Sequence, residues 1–286
     1  MKKRPWLFFA IITTLFWGVW GAFIEIPEKA GFPATLGYSV WSLTMIPCAL
    51  VGLAIIKWKL EYDTRSIIFG SIVGLTGAGG QLMLFQALRE GPAYIVFPVI
   101  SLYPVVTVFL SSYFLKETTT KKHWVGIVLA LIALVLLSYV KPQAGTVTGY
   151  AWLLLAVSVL FLWGIQGFYM KVANQTMKAE SIFFYMMLTG VLLIPVAIFM
   201  TDFSKEINWG FKGPYLAAMI QVLNAIGALT LVYALRHGKA IIVVPVTALA
   251  PVITIILSLV LYAVIPHPVI IAGLVLAVIA IFLLAE

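Results

Sequence analysis

Charge is scarce in this sequence. Only 10% of its 286 residues are Asp, Glu, Lys or Arg, whereas about 25% is usual for a soluble domain. Apolar residues make up 63% of the chain, and the mean hydropathy is +1.10. This composition excludes a soluble globular enzyme, a disordered chain and a nucleic-acid-binding domain. The sequence is that of a polytopic membrane protein.

Thiols and imidazoles are also rare. Cys48 is the only cysteine, and there are three histidines. One thiol excludes an internal disulfide framework and a clustered-thiolate metal site. The histidines and all ten carboxylates fall in loops or at the ends of predicted helices, so no metal-hydrolase, paired-aspartate or nucleophile–base arrangement is visible. We therefore expect no catalysis, no metal, no cofactor and no nucleic-acid partner.

Long apolar runs account for most of the chain. Ten stretches approach the roughly 20 residues that a helix needs to cross a bilayer. The run at 127–140 is apolar on every face, which is typical of a membrane helix and not of an alternating barrel strand. The loops are too short for a soluble domain, so the protein acts within the bilayer. The predicted spans are 6–24, 36–56, 66–88, 92–115, 124–140, 150–170, 181–200, 214–235, 240–264 and 269–285.

Basic residues are distributed unevenly between the predicted loops. With a cytoplasmic N-terminus, 13 of the 18 Lys and Arg residues lie inside and the other five lie outside. The positive-inside rule therefore predicts a cytoplasmic (inner) membrane protein with both termini in the cytoplasm. The apolar run after Lys2, Lys3 and Arg4 imitates a signal peptide, but it ends in bulky residues such as Trp17 and Trp20. We expect it to remain as the first span.

An internal repeat is the most informative feature of the sequence. Residues 87–107 match residues 234–254 at an offset of 147, with 13 of 21 positions identical. At an offset of 146, Trp17-Gly18 matches Trp163-Gly164. Chance matches between apolar segments would not keep the same offset, within one residue, at the Trp-Gly pair, the Arg-x-Gly turn and both pairs of prolines.

The repeat predicts the architecture. Each copy contains five predicted spans, an odd number, so the second copy enters the membrane from the opposite side. Inverted repeats of this kind are a device of secondary transporters. The sequence thus predicts an all-α membrane protein with ten transmembrane helices, arranged as two inverted five-helix repeats over residues 1–143 and 144–286.

These motifs, in this register, resemble a drug/metabolite transporter superfamily member built of two EamA domains. The resemblance rests on the two Trp-Gly pairs, the Ala-Leu-x-x-Gly-x-Ala turn, the prolines six residues apart and Lys116-Glu117 ahead of Gly126. It covers nearly the whole chain. It implies a central cavity between the repeats, lined by spans one, three, four, six, eight and nine, with spans five and ten at the periphery.

The sequence departs from the family pattern at several polar positions. Family first spans often place a Lys eight residues after the Trp of Trp-Gly, where this chain has Glu25 in the first half and Lys171 in the second. A basic residue common in the second span is missing from both halves. Glu117 corresponds to Val264. These departures bear on the substrate and leave the predicted fold intact.

Neutral polar and aromatic side chains are the candidates for substrate contact, because no formal charge falls near the middle of a predicted span. Trp17 and Trp20 are three residues apart and share a helix face. The alternative is that the aromatic rings pack between helices and the amides tie helices together. The predicted binding residues are Trp17, Trp20, Gln81, Tyr103, Trp163, Gln166, Gln221 and Asn224.

Paired prolines are the candidates for hinges. Pro98 and Pro104 are matched by Pro245 and Pro251 in the second repeat. Each proline removes a backbone hydrogen bond and bends its helix, so the fourth and ninth spans should be interrupted symmetrically. We interpret these prolines as hinge or gate residues; the alternative is a fixed kink needed only for packing.

Together these features favour a secondary-active transporter of small organic metabolites, which exports neutral, zwitterionic or aromatic solutes by alternating access. Two alternatives stay open: a flippase-like carrier of a lipid-linked or amphiphilic molecule, and a membrane scaffold that transports nothing. The expected partners are the small-molecule substrate and the lipid bilayer, and the expected state is a monomer or weak homodimer.

Overall fold

The computed structural model describes residues 4–142, 149–262 and 266–285. Within these ranges the chain is helical and contains no β-strand, as the sequence predicts. A π-helical turn, Phe211–Tyr215, precedes α11. The α-helices are α1 (Pro5–Phe23), α2 (Glu25–Lys29), α3 (Ala34–Ile55), α4 (Thr64–Glu90), α5 (Ala93–Ser101), α6 (Tyr103–Phe114), α7 (Lys121–Leu137), α8 (Ala151–Ala173), α9 (Ala179–Leu192), α10 (Ile194–Phe199), α11 (Leu216–His237), α12 (Ala240–Ala248), α13 (Pro251–Tyr262) and α14 (Pro268–Ala285).

Three features of the sequence prediction lie outside the described residues. They are the boundary between residues 143 and 144, the basic residues Lys2 and Lys3, and Val264.

The predicted spans correspond to these helices. In the described part of the chain, nine helices or helix pairs are long and apolar enough to cross a membrane. The fifth span is the shortest: α7 has 17 residues, or about 26 Å at 1.5 Å per residue, close to the roughly 30 Å of a hydrocarbon core. It packs along α14, the last span. The ten-helix membrane architecture is therefore confirmed.

The fourth and ninth spans are interrupted at equivalent positions. The fourth breaks between α5 and α6, and the ninth breaks between α12 and α13. Pro104 and Pro251 lie in the first turn of the second helix of each pair, where a missing N–H leaves no hydrogen bond unmade. Pro98 and Pro245 lie inside α5 and α12. All four prolines thus sit in the paired helices that the repeat predicts to be bent.

The seventh span is also broken, at Leu193 between α9 and α10. Its proline, Pro195, stands in the first turn of α10. The second span, its counterpart, carries Pro47 inside the continuous helix α3. This interruption was not predicted and has no equivalent in the first repeat.

Helix packing follows a two-fold relation between the repeats. The first span, α1, packs on α11, and the equivalent helix α8 packs on α4. Likewise α1 packs on α13 as α8 packs on α6, and spans of equal rank pair across the repeats, α3 with α9 and α7 with α14. Each of these contacts between a helix of the first repeat and a helix of the second therefore has an equivalent contact in which the two repeats have swapped roles.

The two ends of the seventh span make the inversion visible. Arg89 donates a hydrogen bond from Nη1 to the Met200 carbonyl at 2.8 Å, just after α10. Arg236, its equivalent, donates to the Met177 carbonyl at 3.1 Å, just before α9. Equivalent turns thus lie at opposite ends of one membrane-spanning segment, and the inverted repeat is confirmed. We call these two sides of the bundle the Arg89 face and the Arg236 face.

Matched threonine hydrogen bonds fasten each repeat to the other. The Thr254 hydroxyl donates to the Gly18 carbonyl at 2.9 Å, and the Thr107 hydroxyl donates to the Gly164 carbonyl at 2.8 Å. Both glycines belong to the Trp-Gly pairs, and helices can approach this closely only where a side chain is absent. The repeated motif therefore encodes a contact between repeats as well as a helix.

Candidate functional site

A cavity of about 470 Å³ lies where the two repeats meet. This volume falls within the roughly 300–1,000 Å³ usual for small-molecule sites. The residues that line it come from eight spans, and none of them belongs to α7 or α14. The fifth and tenth spans are thus peripheral, as the family resemblance implies. The second and seventh spans, which were not expected, also contribute.

Seven of the eight predicted binding residues line this cavity. Gln221 does not: it is 5% exposed, and its amide oxygen accepts the Trp20 indole N–H at 3.0 Å. Its amide nitrogen donates to the Gly37 carbonyl at 3.4 Å. Gln221 therefore holds the Trp20 indole in place by a hydrogen bond and does not itself face the cavity. The seven lining residues are Trp17, Trp20, Gln81, Tyr103, Trp163, Gln166 and Asn224.

The indoles of Trp17 and Trp163 are held by equivalent hydrogen bonds. Trp17 donates from Nε1 to the Asn224 carbonyl, and Trp163 donates from Nε1 to the Gly77 carbonyl, both at 3.3 Å. Asn224 and Gly77 are themselves related by the offset of 147. Because both N–H groups are already bonded to backbone, these rings offer their faces to a ligand.

Two glycines make room for these rings. A Cβ at Gly80 would lie 2.6 Å from Trp163 Nε1, and a Cβ at Gly227 would lie 2.5 Å from the Trp17 ring. Gly80 and Gly227 are also equivalent under the repeat. Each repeat therefore packs a tryptophan ring against a glycine of the other repeat, at equivalent positions.

The remaining polar groups of the cavity are neutral. The Gln81 and Gln166 side-chain amides form no hydrogen bond with another described residue. Tyr103 packs edge-on against Trp163, with ring centroids 5.9 Å apart. Among the described lining residues there is no Asp, Glu, Lys, Arg or His. The cavity can therefore stack on a ligand and hydrogen-bond to it, and it supplies no compensating formal charge.

Sequence reasoning missed one aromatic residue and three sulfur side chains of the lining. Trp41 packs edge-on against Tyr38 at 5.4 Å, and its buried Nε1 has no acceptor within the described protein. Methionine is flexible and polarisable, which suits a site that adapts to its ligand. No local pattern in the sequence marks these four residues, because the rotation of each helix is set by its neighbours. The missed residues are Trp41, Met45, Met170 and Met186.

Packing differs between the two faces of the bundle. All nine residues of α12 are buried at the Arg236 face. In α5, its equivalent at the Arg89 face, only Val96 and Ile100 are buried, and Phe97 is 39% exposed. The structure is therefore more tightly closed at the Arg236 face.

Three polar side chains join the elements of the closed face. Lys171, at the end of α8, donates from Nζ to the Leu235 carbonyl at 2.9 Å and to the Gly238 carbonyl at 2.6 Å. The Glu117 carboxylate accepts the Ile241 backbone N–H at 3.1 Å, at the start of α12. Lys239 donates to the Thr118 carbonyl. We call Glu117, Lys171 and Lys239 the polar latch.

The environment of Glu117 opposes its ionisation. Burial raises the pKa of the Glu117 carboxyl above its ordinary value of 4.5, while the Ile241 N–H and the Lys171 ammonium act in the opposite direction. The latch thus includes a carboxyl that retains its proton to a higher pH than a solvated Glu does.

At the other face, the described residues equivalent to Lys171 and Lys239 do not repeat the latch bonds. Glu25 replaces Lys171 and forms an ion pair at 2.5 Å with Lys29 of its own helix. Pro92 replaces Lys239. These departures from the repeat therefore give the two faces different polar contacts among the described residues.

A buried carboxylate was also missed. Glu180 lies in the first turn of α9, at a helix end as the sequence predicts, but it is only 8% exposed. The Tyr233 hydroxyl donates to it at 2.5 Å. This bond ties α9 to α11 at the Arg236 face.

No metal site is evident in the described ranges, which contain no group of three or more His, Cys, Asp or Glu able to hold an ion.

Known families and structures match this chain along its length. A family model described as the EamA-like transporter family matches residues 4–139 and again 150–285. A solved crystal structure superimposes with a TM-score of 0.78 and 17% identity, over 99% of both chains. That similarity concerns the fold.

Three curated relatives are similar in sequence. An uncharacterized protein of Methanocaldococcus jannaschii is 33% identical over 130 residues, 45% of this chain and 92% of that protein. A probable 4-amino-4-deoxy-L-arabinose-phosphoundecaprenol flippase subunit ArnE of Proteus mirabilis is 32% identical over 88 residues, 30% of this chain and 78% of that protein. Protein LicB of Haemophilus influenzae is 26% identical over 212 residues, 70% of each chain.

Proposed function

This chain belongs to the EamA-like transporter family, and from that premise we propose that it is a secondary-active exporter of small organic metabolites that are neutral, zwitterionic or aromatic. The observation that carries the proposal is the uncharged, aromatic cavity at the interface between the inverted repeats. Such repeats allow one fold to open to either side of the membrane in turn.

The chemistry of the cavity supports this substrate class. A phosphate ester carries two negative charges, and burying them without Lys or Arg partners is very unfavourable. The faces of Trp17 and Trp163 instead suit an aromatic body or an organic cation. The amides of Gln81, Gln166 and Asn224 can donate to and accept from one polar end of a solute.

Alternating access would use the interrupted spans and the latch. The fourth and ninth spans are divided into short helices just before Pro104 and Pro251, and these helices can tilt without unfolding a whole span. Pro98 and Pro245, inside α5 and α12, would add flexibility to the first helix of each pair. Opening of the Arg236 face would break the latch bonds at Lys171 and Glu117. Closure of the Arg89 face would cover α5.

The remaining assignments belong to the same proposal. The protein would reside in the cytoplasmic membrane with both termini in the cytoplasm, as a monomer or weak homodimer. Residues 1–143 and 144–286 would be the two repeats, each unable to enclose the cavity alone.

A second candidate is a flippase-like carrier of a lipid-linked or amphiphilic molecule. It is favoured by the similarity to ArnE proteins, which are named as subunits of a flippase. Those relatives match only 30% and 28% of this chain, so the matched part is less than one repeat. The present chain holds both repeats, which favours a carrier that works without a second subunit.

Counterflow in sealed proteoliposomes tests both candidates. A panel of labelled neutral, zwitterionic, aromatic and cationic solutes is compared with phosphate esters and with a lipid-linked sugar. We expect saturable exchange of a non-phosphorylated solute, with Trp17→Ala or Trp163→Ala weakening apparent affinity about tenfold through the lost ring face. Trp58→Ala, at an exposed loop tryptophan, is the matched control.

Two results would refute the proposal. One is saturable transport of a phosphorylated metabolite. The other is a set of alanine variants at Trp17, Trp163, Gln81, Gln221 and Asn224 that, with expression matched, all equal the parent. Movement of the lipid-linked sugar alone would establish the second candidate.

A further inference from the structure

A second cavity, of about 510 Å³, lies at the Arg236 face, outside the central site. It is formed by the start of α1, the loop before α7, the turn between α11 and α12, and the end of α14. Its described lining residues are Arg4, Trp6, Thr118, Thr119, Thr120, His123, His237, Gly238, Lys239 and Leu284, together with Ile242.

The lining is basic and rich in hydroxyls. Arg4 and Lys239 are basic side chains, His123 and His237 add two imidazoles, and no Asp or Glu is among the described lining residues. Arg4 also donates to the Ala285 carbonyl. Lys239 donates one of its three protons to Thr118, so the ammonium can serve a second acceptor. Such a set of donors suits the oxygens of a phosphate group.

The start of α7 adds to this field. The Thr120 hydroxyl accepts the His123 backbone N–H at 3.2 Å and caps the helix. α7 is 17 residues long, and its N-terminal N–H groups carry a partial positive charge. The helix end therefore reinforces the cationic side chains and would not form a site without them.

The inverted repeat offers an internal comparison. Trp6 packs against Gly238, with a distance of 2.8 Å from an added Cβ, as Trp152 packs against Gly91 at 2.6 Å. The frame of the cavity is thus repeated at the Arg89 face. The charges are not, because Glu90 replaces His237 and Pro92 replaces Lys239. Basic lining is therefore not a consequence of the fold.

We propose that this cavity binds the phosphate of an anionic phospholipid headgroup. The positive-inside rule assigns the Arg236 face to the cytoplasm, where anionic lipids concentrate and where basic pockets between membrane helices bind such headgroups. A free phosphate ion has the same chemistry, so the experiment must separate the two sources.

The site would act on the gate, an effect that rests on the proposed function. The turn at residues 237–239 lines the cavity and also belongs to the latch region, because the Gly238 carbonyl accepts from Lys171. A phosphate bonded to Lys239 and Arg4 would tie this turn to α1. The bound headgroup therefore stabilises the closed Arg236 face and slows its opening.

Thermal unfolding of the full chain in phosphatidylcholine nanodiscs tests binding without any transport. Short-chain phosphatidylglycerol is titrated in, with inorganic phosphate and short-chain phosphatidylcholine in parallel at equal ionic strength. We expect a saturable rise in the unfolding midpoint with phosphatidylglycerol alone. Lys239→Gln should weaken the apparent affinity about fivefold, the effect of one surface cation near an anionic lipid.

Two controls make the result decisive. Lys239→Arg should restore the response, and Lys59→Gln, which removes an exposed cation from a distant loop on the same predicted face, should leave it unchanged. Equal rises with both glycerolipids, or equal weakening by Lys239→Gln and Lys59→Gln, would overturn the proposal. A response to inorganic phosphate as strong as that to the lipid would overturn the lipid assignment and leave a free-phosphate site. None of these results depends on a transported substrate.

Discussion

Trp17 and Trp163 occupy equivalent positions in the two repeats, and each donates its indole N–H at 3.3 Å to a backbone carbonyl of the opposite repeat. The rings therefore line the cavity and join the halves at once. A substitution of either tryptophan alters the cavity and the interface between the repeats together. The two roles must therefore be separated by substituting the residues that the rings pack against.

Gly80 is the seat of the Trp163 ring. Gly80→Ala should destabilise the protein by about 1–3 kcal/mol, the usual effect of an extra methyl group in a filled space, because the added Cβ would lie 2.6 Å from the indole nitrogen. Gly79→Ala is the control, since nothing lies within 4 Å of its Cβ position. The unfolding midpoints of both variants measure the difference in stability. Equal midpoints would contradict the close packing of Trp163 on Gly80.

Lys171 should hold the Arg236 face closed. Lys171→Met removes two bonds from an ammonium to backbone carbonyls, and we expect the face to open about tenfold more often. A single cysteine at Val244, which lines the central cavity, should then react faster with an impermeant thiol reagent applied from that face in a Cys48→Ala background.

Glu25→Met is the matched control for that variant. Glu25 stands at the equivalent position but pairs within its own helix, so its loss should leave the reaction at Val244→Cys unchanged. Equal acceleration by both substitutions would mean that Lys171 stabilises the bundle in general and does not act as a latch.

The prolines at the interruptions should affect rate more than affinity. Pro104→Ala or Pro251→Ala allows a continuous helix, and we expect exchange to slow about tenfold, or about 1.4 kcal/mol in the barrier, with the apparent affinity unchanged. Pro47→Ala, inside the continuous helix α3, is the control. Lower thermal stability with normal exchange would identify the kinks as packing features only.

The distribution of basic residues predicts the topology, and labelling can measure it directly. Single cysteines replacing Glu90 and His237, in the Cys48→Ala background, should label from opposite sides of the membrane, with His237→Cys reacting from the cytoplasm. Labelling of both from the same side would rule out the inverted arrangement in the membrane. Reversed labelling would refute only the predicted orientation.

Stability should depend on pH through Glu117. Because burial raises the pKa of this carboxyl above 4.5, the unfolded chain ionises first as pH rises, and the folded state loses stability until the folded pKa is passed. The stabilisation that the protonated Glu117 contributes is fully present below pH 4.5 and declines above it. The unfolding midpoint of the parent should therefore fall relative to that of Glu117→Gln as pH rises from 4.5 toward neutrality. A constant difference would exclude Glu117 as the cause.

The sequence by itself determined the membrane class, the ten spans and the inverted repeat. Apolar runs and the offset of the repeat can be read from the sequence directly. In a bilayer an apolar run satisfies its backbone hydrogen bonds by forming a helix. The paired prolines also identified the interruptions of the fourth and ninth spans, because a proline acts on its own helix.

Only the tertiary structure decided which side chains share the cavity. Rotation and tilt of each helix are set by its neighbours, so Gln221 turned behind Trp20 while Trp41 and Met186 entered the lining from spans that were not expected to contribute. The break at Leu193 likewise has no counterpart in the other repeat.

The asymmetry between the faces also depended on packing. Glu25 and Lys171 were visible in the sequence as unlike residues at equivalent positions, but nothing local states that one reaches across to Gly238 while the other stays with Lys29. A long side chain binds what the fold brings within its reach. The repeat therefore specifies two equivalent helix arrangements, and contacts between residues distant in sequence make the Arg236 face the more tightly packed of the two.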